Sequence, residues 1–272
     1  MDAVKELTID EVHDKLLRIA VWFDETCRKH EIPYYMIYGT LLGAIRHKGF
    51  IPWDDDMDFG VPRLYYSKLE IILKEECPPP YRIITHENAG YPLKIIKIED
   101  TTTWVDDLQR KGKMNISIGV NVDIFPMEDC STDSKRVSKL IKKNDIENVK
   151  ISSLYLSFIH NTLWKRCIRL LIKTLYSRKG INYWIKRNKQ LIHNIHNTGK
   201  EAYIVLTGLY GEKEIIPKAI YKTPIPYEFS GVQLYGPTQG KEFLKKIYGD
   251  NFLELPPENK RRTHSSKYFE ML

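Results

Sequence analysis

Trp53-Asp54-Asp55-Asp56-Met57-Asp58-Phe59-Gly60 is the stretch on which the reading of this sequence turns. Side chains alternate faces along an extended chain. Asp56 and Asp58 therefore share one face, with Met57 and Phe59 turned to the core. Asp55 is expected to face away from the pair. Asp54 lies on the pair's side, ahead of the strand. Two carboxylates on one face repel each other unless a cation lies between them. Hard oxygen donors on a rigid strand suit Mg²⁺ or Mn²⁺, which bind through few carboxylates plus substrate phosphates. The competing reading is an acid-rich solvated turn, and the alternation argues against it.

Working outward, residues 34–38 are short, apolar and aromatic, which predicts a strand. Gly39 ends it, and 40–46 predicts a short helix. A glycine at a strand-to-helix turn lets backbone N–H groups approach a phosphate; the helix start and the Thr40 hydroxyl add to the attraction. Arg46, His47 and Lys48 stand just before the acids and are candidate phosphate contacts, as are Lys94 and Lys97. A strand is expected over 56–61 and a helix over 64–76, stopped by Pro78-Pro79-Pro80. A hairpin follows, 81–85 against 93–98. In Gly119-Val120-Asn121-Val122-Asp123-Ile124-Phe125 the apolar residues face one way and Asp123 the other. An isolated acid in a β-rich run needs a partner or a task. Asp123 is thus the candidate third acid, expected on a neighbouring strand.

The remainder frames this core. Residues 8–28 predict an amphipathic helix with a Thr8–Glu11 capping box. Residues 134–196 are mostly helical and basic. A strand pair is expected near 229–234 and a helix over 241–248. Three regions result: a catalytic core over 1–133, a basic helical insert over 134–199, and a C-terminal segment over 200–272 that packs back on the core.

The net charge of +7 is unevenly spread. Residues 151–200 contain no Asp or Glu and ten Lys or Arg, which leaves −3 for the rest. A localised anionic partner is implied. The stretch from Phe158 to Tyr176 is amphipathic and suits an anionic membrane face; a helical subdomain with a solvated basic side is the alternative. The mean hydropathy of −0.40 and the lack of a long apolar run argue against a membrane span. No signal-peptide pattern is visible, so a cytoplasmic location is expected, with the inner membrane face as the place where the basic stretch would lie. Cys27, Cys77, Cys130 and Cys167 fit no zinc template and read as reduced thiols.

Residues 38–60, YGTLLGAIRHKGFIPWDDDMDFG, resemble the core motif of the LicD family, which is related to the fukutin proteins. Lys94-Ile95-Ile96-Lys97-Ile98 with Asp100-Thr101 agrees, as does the acid-bearing strand ending Asp123-Ile124-Phe125-Pro126. So does the closing pattern of Phe229, Gly231, Tyr248-Gly249, Pro256-Pro257 and His264. The resemblance implies an α+β, nucleotidyltransferase-like core: a mixed β-sheet flanked by helices, plus a helical insert. It implies transfer of phosphocholine from CDP-choline to a sugar hydroxyl of a cell-surface glycan or teichoic acid precursor, releasing CMP. Fukutin relatives use CDP-ribitol, so the donor alcohol stays open. Carried over, Asp56 and Asp58 are metal ligands and Asp123 is a third ligand or a base. Asp54, Trp53 and His264 join the substrate candidates; Trp104, Tyr38 and Tyr91 are further aromatics for a choline head. Two alternatives remain: a nucleotidyltransferase using NTP, and a non-catalytic basic module that binds membranes or polymers. No RNA-binding motif is visible, so no nucleic-acid partner is expected.

Overall fold

A computed structural model describes residues 4–89, 94–105, 119–155, 162–261 and 267–271. After β1 (Val4–Glu6), helix α1 (Ile9–Lys29) starts at the expected cap. Thr8 Oγ1 accepts from the Glu11 N–H, while the Glu11 carboxylate accepts from the Thr8 N–H. Its stripe of Val12, Leu16, Ile19, Ala20 and Phe23 recurs at helical spacing and is buried against β-structure.

Next come β2 (Tyr35–Met36), α2 (Tyr38–His47), β3 (Asp58–Pro62) and α3 (Arg63–Glu76). The predicted strand before Gly39 is only two residues long, and the helix begins two residues ahead of Thr40. The strand expected from Asp56 begins at Asp58. Then β4 (Tyr81–Ile84) and β5 (Ile96–Asp100) pair antiparallel, as the predicted hairpin requires. The short β6 (Thr103–Val105) and the long β7 (Asn121–Cys130) follow.

The main sheet runs β2-β3-β7-β5-β4. Its strands β3 and β7 are parallel, whereas the other neighbouring pairs are antiparallel. The fold is therefore α+β with a mixed sheet flanked by helices. Phe59 pins β3 to α1: its ring lies 5.0 Å from Phe23 and 5.5 Å from Tyr34. Each such aromatic pair adds on the order of 1 kcal/mol beyond its area burial. Tyr66 of α3 ties β5 to β7, donating to the Ile124 carbonyl and accepting from the Ile96 N–H, both at 2.8 Å.

The predicted basic region resolves into α4 (Ser134–Tyr155), α5 (Leu163–Tyr176) and α6 (Ile181–His196). Helices α4 and α6 share a second, smaller core with the end of β7 and with β8 (Ala202–Ile204), built on Cys130, Val137, Ile141, Leu191 and Ile195. Strand β9 (Ile216–Pro217), the short α7 (Lys218–Tyr221), the hairpin of β10 (Ile225–Phe229) and β11 (Val232–Gly236), and α8 (Gly240–Tyr248) follow. The β10–β11 turn is Ser230-Gly231, with φ of 47° and 84°, a conformation that glycine adopts without strain. Phe229, Leu234, Phe243, Leu244 and Ile247 all join the main core. Finally β12 (Tyr268–Met271) lies between β1 and β6 in a separate three-stranded sheet, which the sequence reading did not anticipate.

Candidate active site

The parallel pairing of β3 with β7 sets Asp58 opposite Asp123 in register. Neighbouring strands lie about 4.8 Å apart, so both carboxylates open onto one small space. The Asp123 N–H donates to the Met57 carbonyl at 2.9 Å, extending the pairing toward Asp56. Exposure alternates as predicted: Asp54, Asp56 and Asp58 are only partly buried by their surroundings, whereas Asp55, Met57 and Phe59 are buried. Alternation thus holds through the loop ahead of β3, although no ladder enforces it there.

Lys97 enters from β5, in register with Asp123. Its ammonium donates to the Asp123 carboxylate and to Asn121 Oδ1, at 3.0 Å for the latter. Asp58 is held well above the usual carboxylate range. Burial is the largest cause, followed by the charges of Asp56, Asp123 and Asp54, with Lys97 opposing them. Three other acids therefore act on Asp58.

The start of α2 supports this cluster from beneath. Thr40 Oγ1 accepts from the Asp58 N–H at 2.7 Å, which fixes the first residue of β3. Gly39 has one of the chain's own acids beside it. A Cβ there would lie 2.7 Å from Asp54 Oδ2, so the space beside the glycine is taken by the chain's own carboxylate. The positive end of the helix dipole favours a negative charge at that place. His13 Nε2 lies 2.7 Å from the Asp54 carbonyl, and its ring stacks on Phe50 at 4.1 Å. The Ser230 N–H donates to the Lys48 carbonyl at 2.7 Å. The acid-bearing loop is thus clamped by α1 on one side and the β10–β11 turn on the other.

The other candidates separate. Arg46 spends its guanidinium on the carbonyls of Phe252 and Glu254 and on His47 Nε2, fastening the C-terminal segment. Burial, and then Arg46, push His47 below its ordinary value. The His47 ring meets Trp53 edge-on, and Arg261 lies over the Trp53 ring at 5.3 Å. Lys48 is exposed in the left-handed C-cap of α2. Lys94 goes elsewhere: its ammonium donates to Asn144 and Asn148 of α4 at 2.9 and 2.8 Å. It lines a separate pocket of about 250 Å³ beside Trp184 and Asn188, to which none of the four acids contributes. Burial there pushes Lys94 down to about 8. Trp104 stacks on Phe269 in the three-stranded sheet. Tyr91 and His264 lie outside the described residues.

The sequence reading missed several neighbours of the acids. Burial is the largest cause of the raised pKa of both Tyr210 and Tyr248, and Asp58 and Asp54 stand close enough to add to it; the hydrogen bond between the two tyrosines lowers Tyr210 and raises Tyr248. Their rings meet edge to face at 5.4 Å, and Tyr38 lies 5.7 Å from Tyr210. The Tyr38 hydroxyl donates to Glu214 Oε2 at 2.6 Å, and burial pushes the Glu214 carboxyl up to about 7. Tyr248 carried a signal, because Tyr248-Gly249 belongs to the closing pattern quoted above. Tyr210, Glu214 and His13 carried none, since each arrives from a distant part of the chain.

Among the described residues no three His, Cys, Asp or Glu side chains are placed to share one metal ion. The donor chemistry still fits Mg²⁺ or Mn²⁺, which takes one or two carboxylates and completes its shell with water and substrate oxygens. The crowding at Asp58 is what a divalent cation would relieve.

The family model described as LicD/FKTN/FKRP, nucleotidyltransferase domain, matches residues 31–150, which span β2, α2, β3, β5 and β7. The lipopolysaccharide cholinephosphotransferase LicD of Haemophilus influenzae is 32% identical over 268 residues, covering 96% of this chain and 97% of that protein. Two uncharacterized proteins are similar over short stretches at 54% identity. One, from Rickettsia typhi, matches 22% of this chain and 19% of its own length; the other, from Rickettsia prowazekii, matches 14% of each.

Proposed function

The chain belongs to the LicD/FKTN/FKRP nucleotidyltransferase-domain family, and from that premise we propose that it transfers phosphocholine from CDP-choline to a sugar hydroxyl of a lipopolysaccharide-type glycan, releasing CMP. The observation that carries the proposal is the pairing of Asp58 with Asp123 across β3 and β7, beside Asp56 and Asp54, in a chain that aligns almost end to end with a cholinephosphotransferase.

In this reading Asp56 and Asp58 would hold Mg²⁺ or Mn²⁺, with water and substrate oxygens completing its shell, and Asp123 stands beside them on β7. When bound, the ion neutralises the donor diphosphate and the leaving CMP. The acceptor hydroxyl attacks the phosphorus that bears choline, in line with the bond to CMP, and that bond breaks as the new phosphodiester forms. Asp123 accepts the hydroxyl proton, with Lys97 holding its carboxylate in place. Positioning and electrostatics supply most of the acceleration. Tyr210 and Tyr248, with Asp54 near them, offer the aromatic faces and negative charge that a trimethylammonium head prefers.

The test is CMP release from CDP-choline by the purified protein with Mg²⁺ or Mn²⁺ and a glycan acceptor. Release of diphosphate from labelled NTP instead would move the chain to nucleotide transfer. Absence of both CDP-choline binding and CMP release with any acceptor extract would refute the donor.

A further inference from the structure

Helix α5 has no buried residue, although seven of its fourteen residues are large and apolar. Leu163, Trp164, Leu170, Leu171 and Leu175 are between 58% and 79% exposed. Among the described residues the helix is held along the edge that faces α4. Arg169, Ile172 and Tyr176 are half-buried on the side of α4, and Tyr176 meets Lys150 at 5.1 Å and Trp184 at 5.7 Å. The apolar arc turns outward, flanked by Lys165, Arg166 and Lys173, which are exposed. A patch of this kind marks an interaction surface in a protein with two well-formed cores elsewhere.

We propose that α5 docks this protein on an anionic membrane, lying flat in the headgroup layer. Three observations choose the lipid surface. Fourteen residues give about 21 Å of helix, too short to span a bilayer. Among the described residues no helix is long and apolar enough to cross a membrane, so α5 lies on the surface. Charge complementarity excludes the simplest rival, a second copy of the chain. Residues 151–200 carry ten cations and no acid, so pairing α5 with α5 would bring like charges together with nothing in the segment to offset them. Anionic headgroups reward the same cations while the acyl boundary takes Leu163, Leu170 and Leu171. The proposal does not depend on the transferase reading, because it concerns a surface that shares no residue with the acid cluster.

The experiment is co-sedimentation of the full chain with vesicles of phosphatidylcholine and phosphatidylglycerol, against vesicles of phosphatidylcholine alone. The wild-type protein is expected to bind the anionic vesicles and to bind neutral ones at least about tenfold more weakly. The triple change L170S/L171S/L175S removes exposed apolar surface only. It should keep the melting temperature and circular dichroism spectrum and lose vesicle binding by on the order of a hundredfold. K165Q/R166Q/K173Q should weaken anionic binding by about fivefold per cation and leave neutral-vesicle binding unchanged. Three results each overturn the proposal. They are wild-type protein that stays in the supernatant with anionic vesicles, a triple serine variant that sediments as wild type does, and a dimer in sedimentation velocity that the serine changes dissolve.

Discussion

Replacing Gly39 by alanine separates stability from activity in a way that probes the heart of the site. The position is helical in α2 and its φ is ordinary, so alanine meets no backbone strain. Helix propensity alone favours alanine by about 0.5–1 kcal/mol. The obstacle is one atom. The new methyl would sit 2.7 Å from Asp54 Oδ2, whereas ordinary contact begins at 3.4 Å, so the carboxylate must retreat by about 0.7 Å. A carboxylate at the end of a side chain can do that at little cost, and the variant should melt within a few degrees of wild type. A displacement on this scale in the acid cluster costs on the order of 10- to 100-fold in turnover. The assay is CMP release with a saturating CDP-choline series, alongside thermal denaturation. A double-mutant cycle sharpens it. Since Gly39 acts through Asp54, Gly39→Ala should add little in an Asp54→Ala background. Full turnover by a folded Gly39→Ala protein, or equal losses in both backgrounds, would refute the reasoning.

Three further outcomes follow from the same geometry. Asp58→Asn should lower turnover on the order of a thousandfold. It should also raise the melting temperature, because it removes a charge that burial and three neighbouring acids disfavour; turnover within tenfold of wild type would count against the site. Chelation with EDTA should abolish CMP release, and added Mn²⁺ or Mg²⁺ should restore it; undiminished turnover in EDTA contradicts the metal assignment. Glu214 should give a pH signature. Its carboxyl titrates at about 7 when folded against 4.5 for an ordinary glutamate, because burial outweighs the hydrogen bonds from Tyr38 and the Tyr210 N–H. Below 4.5 both states hold the proton. Between 4.5 and about 7 the unfolded chain loses it first, so stability falls as pH rises. Relative to Glu214→Gln, the wild type should lose about 3 kcal/mol across that window in urea denaturation, and parallel curves would exclude it.

Lys94 and Lys97 show how far local pattern reaches. Three residues apart and alike in sequence, both were candidates for a phosphate. Lys97 falls inside β5, in register with Asp123, and its ammonium reaches the acid. Lys94 precedes the strand and is taken by Asn144 and Asn148 from α4, fifty and fifty-four residues on. Gly39 shows the same limit from the other side. Its need for space was legible, but what fills the space is Asp54, set there by a loop clamped by His13 and Ser230.

What the sequence by itself determined is what neighbours in the chain decide. The period of two put Asp56 and Asp58 on one side of Met57 and Phe59. The Thr8–Glu11 cap started α1, and the lone acid of the run 119–125 marked Asp123. Tertiary structure alone decided that β3 runs parallel to β7 with Asp58 opposite Asp123. It alone brought Tyr210 and Tyr248 to the acids and carried β12 back between β1 and β6. The reason is physical. Alternation, caps and turns are settled by the sterics and hydrogen bonds of a few adjacent residues. The pairing of distant strands is settled by which apolar faces can bury each other, a sum over the whole chain.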